Sequence, residues 1–163
     1  MDKNLVNALN GQLKEEINSS YLYLSMGADM EAKNWKGVAA WFKAQAQEEM
    51  GHVFKIYGHL ISRGQRVVLP AIDKPQETWE SIKSAYEDTL KHEKEITGRI
   101  HRLVIEAREA EDLAAETFLQ WFVTEQVEEE ATVEDILQKL NLVGDAPQFL
   151  FMLDRELGSR QDA

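Results

Sequence analysis

Apolar residues recur along this chain at the three-and-four spacing of amphipathic helices, in four long blocks and one short one. Between Lys3 and about Lys33 they fall at Leu5, Leu9, Leu13, Ile17 and Leu24, with Leu22 and Met26 beside them. From Trp35 or Lys36 to Arg63 one stripe carries Trp41, Gln45, His52, Ile56 and Leu60, and Gly64 follows as an end cap. A third block starts at Thr78, read as the N-cap, and reaches about Glu109 with Ile82, Tyr86, Ile96, Ile100, Leu103 and Ala107 inside. The fourth spans Leu113 to Leu140 and turns Phe118, Trp121, Phe122, Val133, Ile136 and Leu140 inward. The last opens at Asp145, where Gln148 stands at capping-box spacing and Pro147 suits a first turn, and it ends before Gly158. Its apolar residues are Phe149, Leu150, Phe151, Leu153 and Leu157.

The breaks at Lys33-Asn34 and at Glu109 to Asp112 are short and imply two antiparallel hairpins. Gly64 to Thr78 is different: it contains Pro70 and Pro75 and no helical period. About 14 extended residues reach ~46 Å, the length of a helix of about 30 residues, so this segment is expected to run the length of the bundle. The second and third helices are then parallel. The expected fold is all-α: an up-down-down-up four-helix bundle with one long crossover and a short fifth helix. It forms one domain over residues 1–163, with the bundle at about 3–140 and the short helix at about 145–157.

Acids interrupt the inward stripes. Glu16 lies with Leu9, Leu13 and Ile17, and Tyr23 returns to within ~20° of it. Glu49 and His52, three apart, share a face of the second helix and can hold one cation together. Glu93 falls within the third stripe, and Glu125 and Glu129 continue the face begun by Phe118 and Phe122. Four helices therefore bring Glu16, Glu49, Glu93 and Glu129 towards one interior, beside His52 as a nitrogen ligand. Like charges ~4 Å apart repel by about 4 kcal/mol at an effective dielectric of about 20. Two divalent cations would balance the carboxylates, and Glu49 is placed to bridge them. One imidazole among carboxylates suits iron or manganese better than zinc.

Composition narrows the function classes. The chain of 163 residues has no Cys, which excludes disulfides, thiolate sites and Cys nucleophiles. A formal net charge of -11 disfavours nucleic acid, whose phosphates need Lys and Arg, and favours cations nearby. No stretch has the apolar run of a signal peptide or a membrane span, so a cytoplasmic protein with no membrane partner is expected.

Glu16-x6-Tyr23, Glu49-x-x-His52, Glu93 and the run Glu125-Gln126-Val127-Glu128-Glu129-Glu130 resemble, in order and spacing, the ferroxidase centre of the prokaryotic non-haem ferritins. The resemblance extends to Gln45-Ala46-Gln47-Glu48-Glu49-Met50 and Phe118-Leu119-Gln120-Trp121-Phe122, and so covers essentially the whole chain. It implies a first iron on Glu16, Glu49 and His52 and a second on Glu49, Glu93 and Glu129, with Gln126 on the dioxygen side. A third iron position would correspond to Glu48, Glu125, Glu128 and Glu129, and Tyr23 and Trp121 match aromatic positions that supply electrons. The implied activity is oxidation of iron(II) by dioxygen, with storage of the iron(III) oxide in a homo-oligomeric shell, in this family of twenty-four subunits.

Plainer readings stand beside these. Glu125 to Glu130 taken alone reads as a solvated helix face, which Glu130 remains even here, and His59, His92 and His101 read as surface or supporting residues. Met50 occupies the place at which the similar bacterioferritins ligate haem, but here it reads as packing, so haem is not expected. Those proteins carry a second Glu-x-x-His, where this chain has Glu125-x-x-Glu128. The competing functions are a haem-binding bacterioferritin-like cage and a shell subunit that nucleates mineral without fast oxidation. A small DNA-protecting relative is disfavoured by the acidic balance, and nothing marks the organic-substrate pocket of a di-iron hydroxylase.

Overall fold

The computed structural model describes residues 1–159. These form five helices: α1 (Lys3–Ala32), α2 (Lys36–Ser62), α3 (Ile82–Glu109), α4 (Leu113–Val143) and α5 (Pro147–Leu157). Side-chain pairs give the directions. Gln45 meets Glu129, His59 stacks on Phe118 and Arg63 meets Asp112, so α2 and α4 are antiparallel. Glu15 meets Arg99, Ser19 meets His92 and Met26 meets Thr89, so α1 and α3 are antiparallel as well. With two short hairpins this is an up-down-down-up bundle.

Each long helix buries a seam in which steps of four and three alternate. On α1 it is Leu5, Leu9, Gln12, Glu16, Ser19, Tyr23, Met26 and Met30, and on α2 Val38, Phe42, Gln45, Glu49, His52 and Ile56. On α3 it is Ile82, Tyr86, Thr89, Glu93, Ile96, Ile100, Leu103 and Ala107, and on α4 Ala115, Leu119, Phe122, Gln126, Glu129, Val133, Ile136 and Leu140. A seven-residue repeat wraps helices in a left-handed sense and keeps one seam inward along their whole length. Leu24 and Trp121 fall off that seam, at 50% and 37% exposure, although the simple apolar spacing places both inside.

The crossover lies along α1. The Asn10 carboxamide accepts from the Val68 N–H at 2.7 Å and donates to the Arg66 carbonyl, Ser25 donates to the Gln76 carbonyl, and Asp29 accepts from the Trp79 N–H at 3.0 Å. These anchors span ~28 Å of helix. Trp79 is buried, and its indole N–H donates to Asp88. That anchorage delays α3: its N-cap is Ser81, in a reciprocal capping box with Ser84, rather than Thr78.

The fifth helix also starts differently from expectation. Ala146 is its N-cap and makes no side-chain hydrogen bond, so the Asp145 and Gln148 spacing forms no capping box. Only Leu153, Asp154 and Leu157 are buried, whereas Phe149 and Phe151 face outward. Asp154 Oδ1 accepts from the Val38 N–H at 2.9 Å and so caps α2, whose own N-cap, Trp35, supplies no side-chain acceptor. The approach is possible because residue 37 is glycine: a Cβ there would lie 1.6 Å from the Asp154 carbonyl oxygen.

Gly37→Ala is expected to push α5 off the bundle. Limited proteolysis between α4 and α5 should accelerate while the helical circular dichroism of α1 to α4 persists, and Asp154→Ala should cost about 1 kcal/mol as a lost cap. Unchanged cleavage in Gly37→Ala would show that this close approach does not hold α5.

Candidate metal centre

The apolar interior is in two parts. One gathers Tyr23, Met26, Met30, Phe42, Trp41, Tyr86, Val133, Ile136 and Leu140 around one end of the bundle, with Leu153 and Leu157 of α5. The other gathers Leu5, Leu9, Leu13, Ile56, Leu60, Ile96, Ile100, Leu119 and Phe122. Between them the seams turn polar on all four long helices, and Glu16, Glu49, His52, Glu93, Gln126 and Glu129 are all buried.

Ligand atoms of Glu16, Glu49 and His52 lie within 4.8 Å of one another, and so do those of His52, Glu125 and Glu129. His52 Nδ1 stands 3.1 Å from Glu49 Oε2 and 3.6 Å from Glu16 Oε2. Neutral donors hold the carboxylates in place. Gln12 donates to Glu16 Oε1 at 2.8 Å, Gln45 to Glu129 Oε2 at 2.7 Å, and Gln126 to Glu93 Oε2 at 3.1 Å. The Tyr23 hydroxyl donates to Glu93 Oε1. Glu16 Oε2 and Glu129 Oε1, by contrast, are buried and receive no hydrogen bond from any described residue. A buried carboxylate oxygen left without a donor is costly. A divalent cation between such oxygens removes that cost, so the donor set fits one.

The electrostatics are those of a crowded acidic interior. Burial raises the Glu49 carboxyl well above its usual range, the hydrogen bond with His52 opposes this, and the charges of Glu93 and Glu16 add to it. Burial, then the charges of Glu93 and Glu48, push Glu129 up to about 8. Glu93 is raised by burial, against the hydrogen bond from Tyr23. Burial would lower His52, but Glu16 and Glu49 outweigh it and hold the imidazole at about 11. Protons thus neutralise the cluster when no cation does so.

Glu125 is half-buried and meets His52 and Glu129 at the cluster's edge, whereas Glu128 is exposed. Burial raises Glu125; His52 opposes that, and Glu48 and Glu128 reinforce it. Trp121 is at the rim, its ring centroid 5.4 Å from that of His52 with the ring planes at 74°, and Lys55 Nζ lies 4.1 Å from the indole centroid. Leu119 is core, and Glu116 accepts from Arg108. His92 contacts Ser19 and meets the Tyr23 ring edge-on. His59 lies flat on Phe118 at 4.0 Å, and His101 is exposed.

The supporting amides of Gln12 and Gln45 are the part that apolar periodicity passes over. Their signal is in the sequence nonetheless: each stands four residues before an inward glutamate on the same helix, Gln12 before Glu16 and Gln45 before Glu49. Which carboxylate each amide serves is not local, since Gln45 reaches across to Glu129.

Fold and cluster together define a four-helix-bundle protein with a carboxylate-rich interior suited to cations. A family model described as a ferritin-like domain matches residues 6–143. A probable bacterial non-heme ferritin-like protein of Haemophilus influenzae is 40% identical, with 98% of this chain and 96% of that protein covered. The bacterial non-heme ferritin of Staphylococcus aureus strain MRSA252 is 37% identical with the same coverage. Among solved structures, an open pore ferritin from the hyperthermophilic archaeon Archaeoglobus fulgidus matches with a TM-score of 0.98 and 43% identity over 99% of each chain. A humanized archaeal ferritin matches at 44% identity and a TM-score of 0.98, covering 100% of this chain and 99% of its own. The chain belongs to the ferritin family.

Glu129 holds its proton more tightly folded than unfolded. Its stabilising contribution is therefore complete below the ordinary carboxylate pKa of about 4.3 and is lost as pH rises through its folded value. In chelator, urea unfolding should move to lower midpoints between pH 5 and pH 8, with a slope of up to about 1.4 kcal/mol per pH unit from this group. Glu129→Gln should remove that share of the slope, and a divalent cation at pH 8 should restore the midpoint of the unsubstituted protein. An identical slope in the variant would place the titration elsewhere.

Proposed function

We propose that this protein stores iron, that its interior cluster oxidises iron(II) with dioxygen, and that the iron(III) product is held in a shell of identical subunits. The observation that carries this reading is the pair of buried oxygens that accept no hydrogen bond, Glu16 Oε2 and Glu129 Oε1, on opposite hairpins, while an amide braces the second oxygen of each of these two carboxylates. The chain is similar to proteins named as non-heme ferritins, which supports the reading.

In this reading Glu16, Glu49 and His52 take one iron(II), Glu49, Glu93 and Glu129 take a second, and Glu49 bridges them. Binding must expel the protons held by Glu129 and His52, pushed up to about 8 and about 11, which couples uptake to pH. Carboxylate oxygens favour iron(III) over iron(II), and so favour loss of an electron to dioxygen. Gln126 and Tyr23 keep Glu93 in one orientation throughout. Trp121, against His52 and open to solvent, is the aromatic group placed to pass an electron. Glu48, Glu125 and Glu128, with Glu129, form a third cation position on the outer side. Tyr23 is fully buried and its hydroxyl is held well above the ordinary phenol range by burial and by Glu93, so it serves as a hydrogen-bond donor at neutral pH.

Self-assembly has its own support. Phe54, Tyr57 and Ile61 of α2, Tyr21 and Leu24 of α1, and Val68, Leu69 and Ile72 of the crossover are exposed large apolar residues. Apolar exposure on this scale marks interaction surfaces. No helix among the described residues is long and apolar enough to cross a membrane. The partner proposed for these residues is a second copy of the chain, in a closed assembly of twenty-four such subunits.

The test loads the cation-free protein anaerobically with iron(II), admits air, and follows oxidation rate and particle mass together. Glu49→Ala and His52→Ala should each slow the fast phase by about a hundredfold or more, since even residues behind a ligand cost 10 to 100-fold, while particle mass stays that of the unsubstituted assembly. Undiminished fast oxidation in both variants would remove this centre as the oxidase. A particle of monomer or dimer mass that retains no iron(III) oxide would end the storage reading.

A further inference from the structure

The sequence pattern assigns Glu130 to a solvated helix face, but the structure connects it to the interior. Glu130 is half-buried, and its Oε1 accepts from the Thr97 hydroxyl of α3 at 2.5 Å. Thr97 Oγ1 in turn accepts from Gln126 Nε2 at 3.2 Å, and that same nitrogen donates to Glu93 Oε2 at 3.1 Å and to the Glu93 carbonyl at 3.3 Å. Gln126, Glu129 and Glu130 stand at i, i+3 and i+4 on α4 and so share one face. Thr97 is four residues beyond Glu93 on α3. A continuous line of hydrogen bonds therefore runs from the half-buried edge of the bundle to a carboxylate of the proposed second iron position.

We propose that Glu130 is a positioning residue for this centre, acting through Thr97 to fix which limb of the Gln126 carboxamide faces Glu93. The reason lies in the donor and acceptor capacity of each group. A threonine hydroxyl can accept from an amide nitrogen or donate to an amide oxygen, so by itself it tolerates either orientation of Gln126. A carboxyl group has the same ambiguity, accepting when ionised and donating when protonated, so the Glu93 side chain does not decide the orientation either, and the Glu93 main-chain carbonyl, which only accepts, favours the NH2 limb from the longer distance of 3.3 Å. An ionised Glu130 only accepts. By taking the Thr97 hydroxyl proton it leaves Thr97 with lone pairs alone for Gln126, and Gln126 must then present its NH2 limb. That limb reaches both Thr97 and Glu93, and the Glu93 carboxylate is held between the Gln126 amide on one oxygen and the Tyr23 hydroxyl on the other. With the amide reversed, its oxygen would face the Glu93 carboxylate and displace it.

The inference rests on the two-cation reading of the site, and cobalt(II) separates the two. Cobalt(II) is titrated into the cation-free assembled protein, binding is followed by calorimetry and by visible absorption, and Glu93→Gln and His52→Ala identify the step that belongs to each position. Thr97→Val and Glu130→Ala should weaken the Glu93-dependent step by about tenfold or more and leave the His52-dependent step within about twofold. Thr97→Ser keeps the hydroxyl and should bind as the unsubstituted protein does, whereas Glu130→Gln, whose carboxamide can donate as well as accept, should weaken the Glu93-dependent step as Glu130→Ala does. Normal binding in Thr97→Val beside a weak Glu130→Gln would mean that the carboxylate acts as a bulk charge, and would overturn the proposal. So would normal binding in Glu130→Ala, which is at the bundle's edge and stands in if Thr97→Val does not fold. Fewer than two cobalt ions per unsubstituted chain would instead overturn the two-cation reading itself, and the inference with it.

Discussion

Desolvation of the carboxylates in the middle of the bundle is the constraint on which the rest of this structure depends. Four glutamates on four helices are withdrawn from water between two apolar regions. An isolated ionised carboxylate in such a place is so unfavourable that it takes up a proton or finds a partner. The raised carboxyl groups of Glu49, Glu93 and Glu129, and the protonated His52, are the first of those responses. The donor-free oxygens of Glu16 and Glu129 mark where the second belongs. An apolar seam through this layer would make a more stable bundle, and its interruption is the physical trace of function.

The surroundings divide the work between bracing and leaving open. Gln12, Gln45, Gln126 and Tyr23 each occupy one oxygen of a carboxylate, which restricts its rotation without neutralising it. Glu16 and Glu129 each keep one oxygen without a donor, whereas both oxygens of Glu93 are occupied. Preorganisation of this kind requires that the helices carrying the groups do not slide. The bundle has tethers at the right places: Arg63 pairs with Asp112 through both guanidinium nitrogens at 2.9 Å, joining the end of α2 to the start of α4. Asp29, held by Lys33, fixes the crossover where it feeds α3. Asp154 caps the start of α2 from α5, so the short last helix supports the helix that carries Glu49 and His52.

The outer rim has a different character from the interior. Trp121, Lys55, Glu125 and Glu128 gather on the side where the polar layer meets the surface, and the charge there is mixed rather than uniformly acidic. A cation over an indole face is attracted to the ring and disfavours removal of an electron from it. Lys55 therefore bears on how readily Trp121 could take part in electron transfer, and it moderates the acidity gathered around Glu125. Phe54 and Ile61 of α2 and Leu69 of the crossover are further exposed large apolar residues.

Local spacing alone determined much of this. Amphipathic periods over thirty residues mark helices whatever they pack against, two short breaks imply hairpins, and a long Pro-containing segment implies a crossover of matching length. The inward acids were legible for the same reason, because Glu16, Glu49, Glu93 and Glu129 share a face with apolar neighbours, and that is a property of one helix at a time. What spacing could not decide were relations between helices. The seven-residue seam, which excludes Leu24 and Trp121, comes from supercoiling, and supercoiling exists only once helices pack. The start of α3 at Ser81 was decided by the distant Asp29, and the start of α2 was capped by Asp154, more than a hundred residues away. The partners of the amides, Gln45 with Glu129 and Gln126 with Glu93 and Thr97, were likewise set by tertiary structure. A hydrogen bond between helices depends on their axial register, and no single helix carries that register in its own residues.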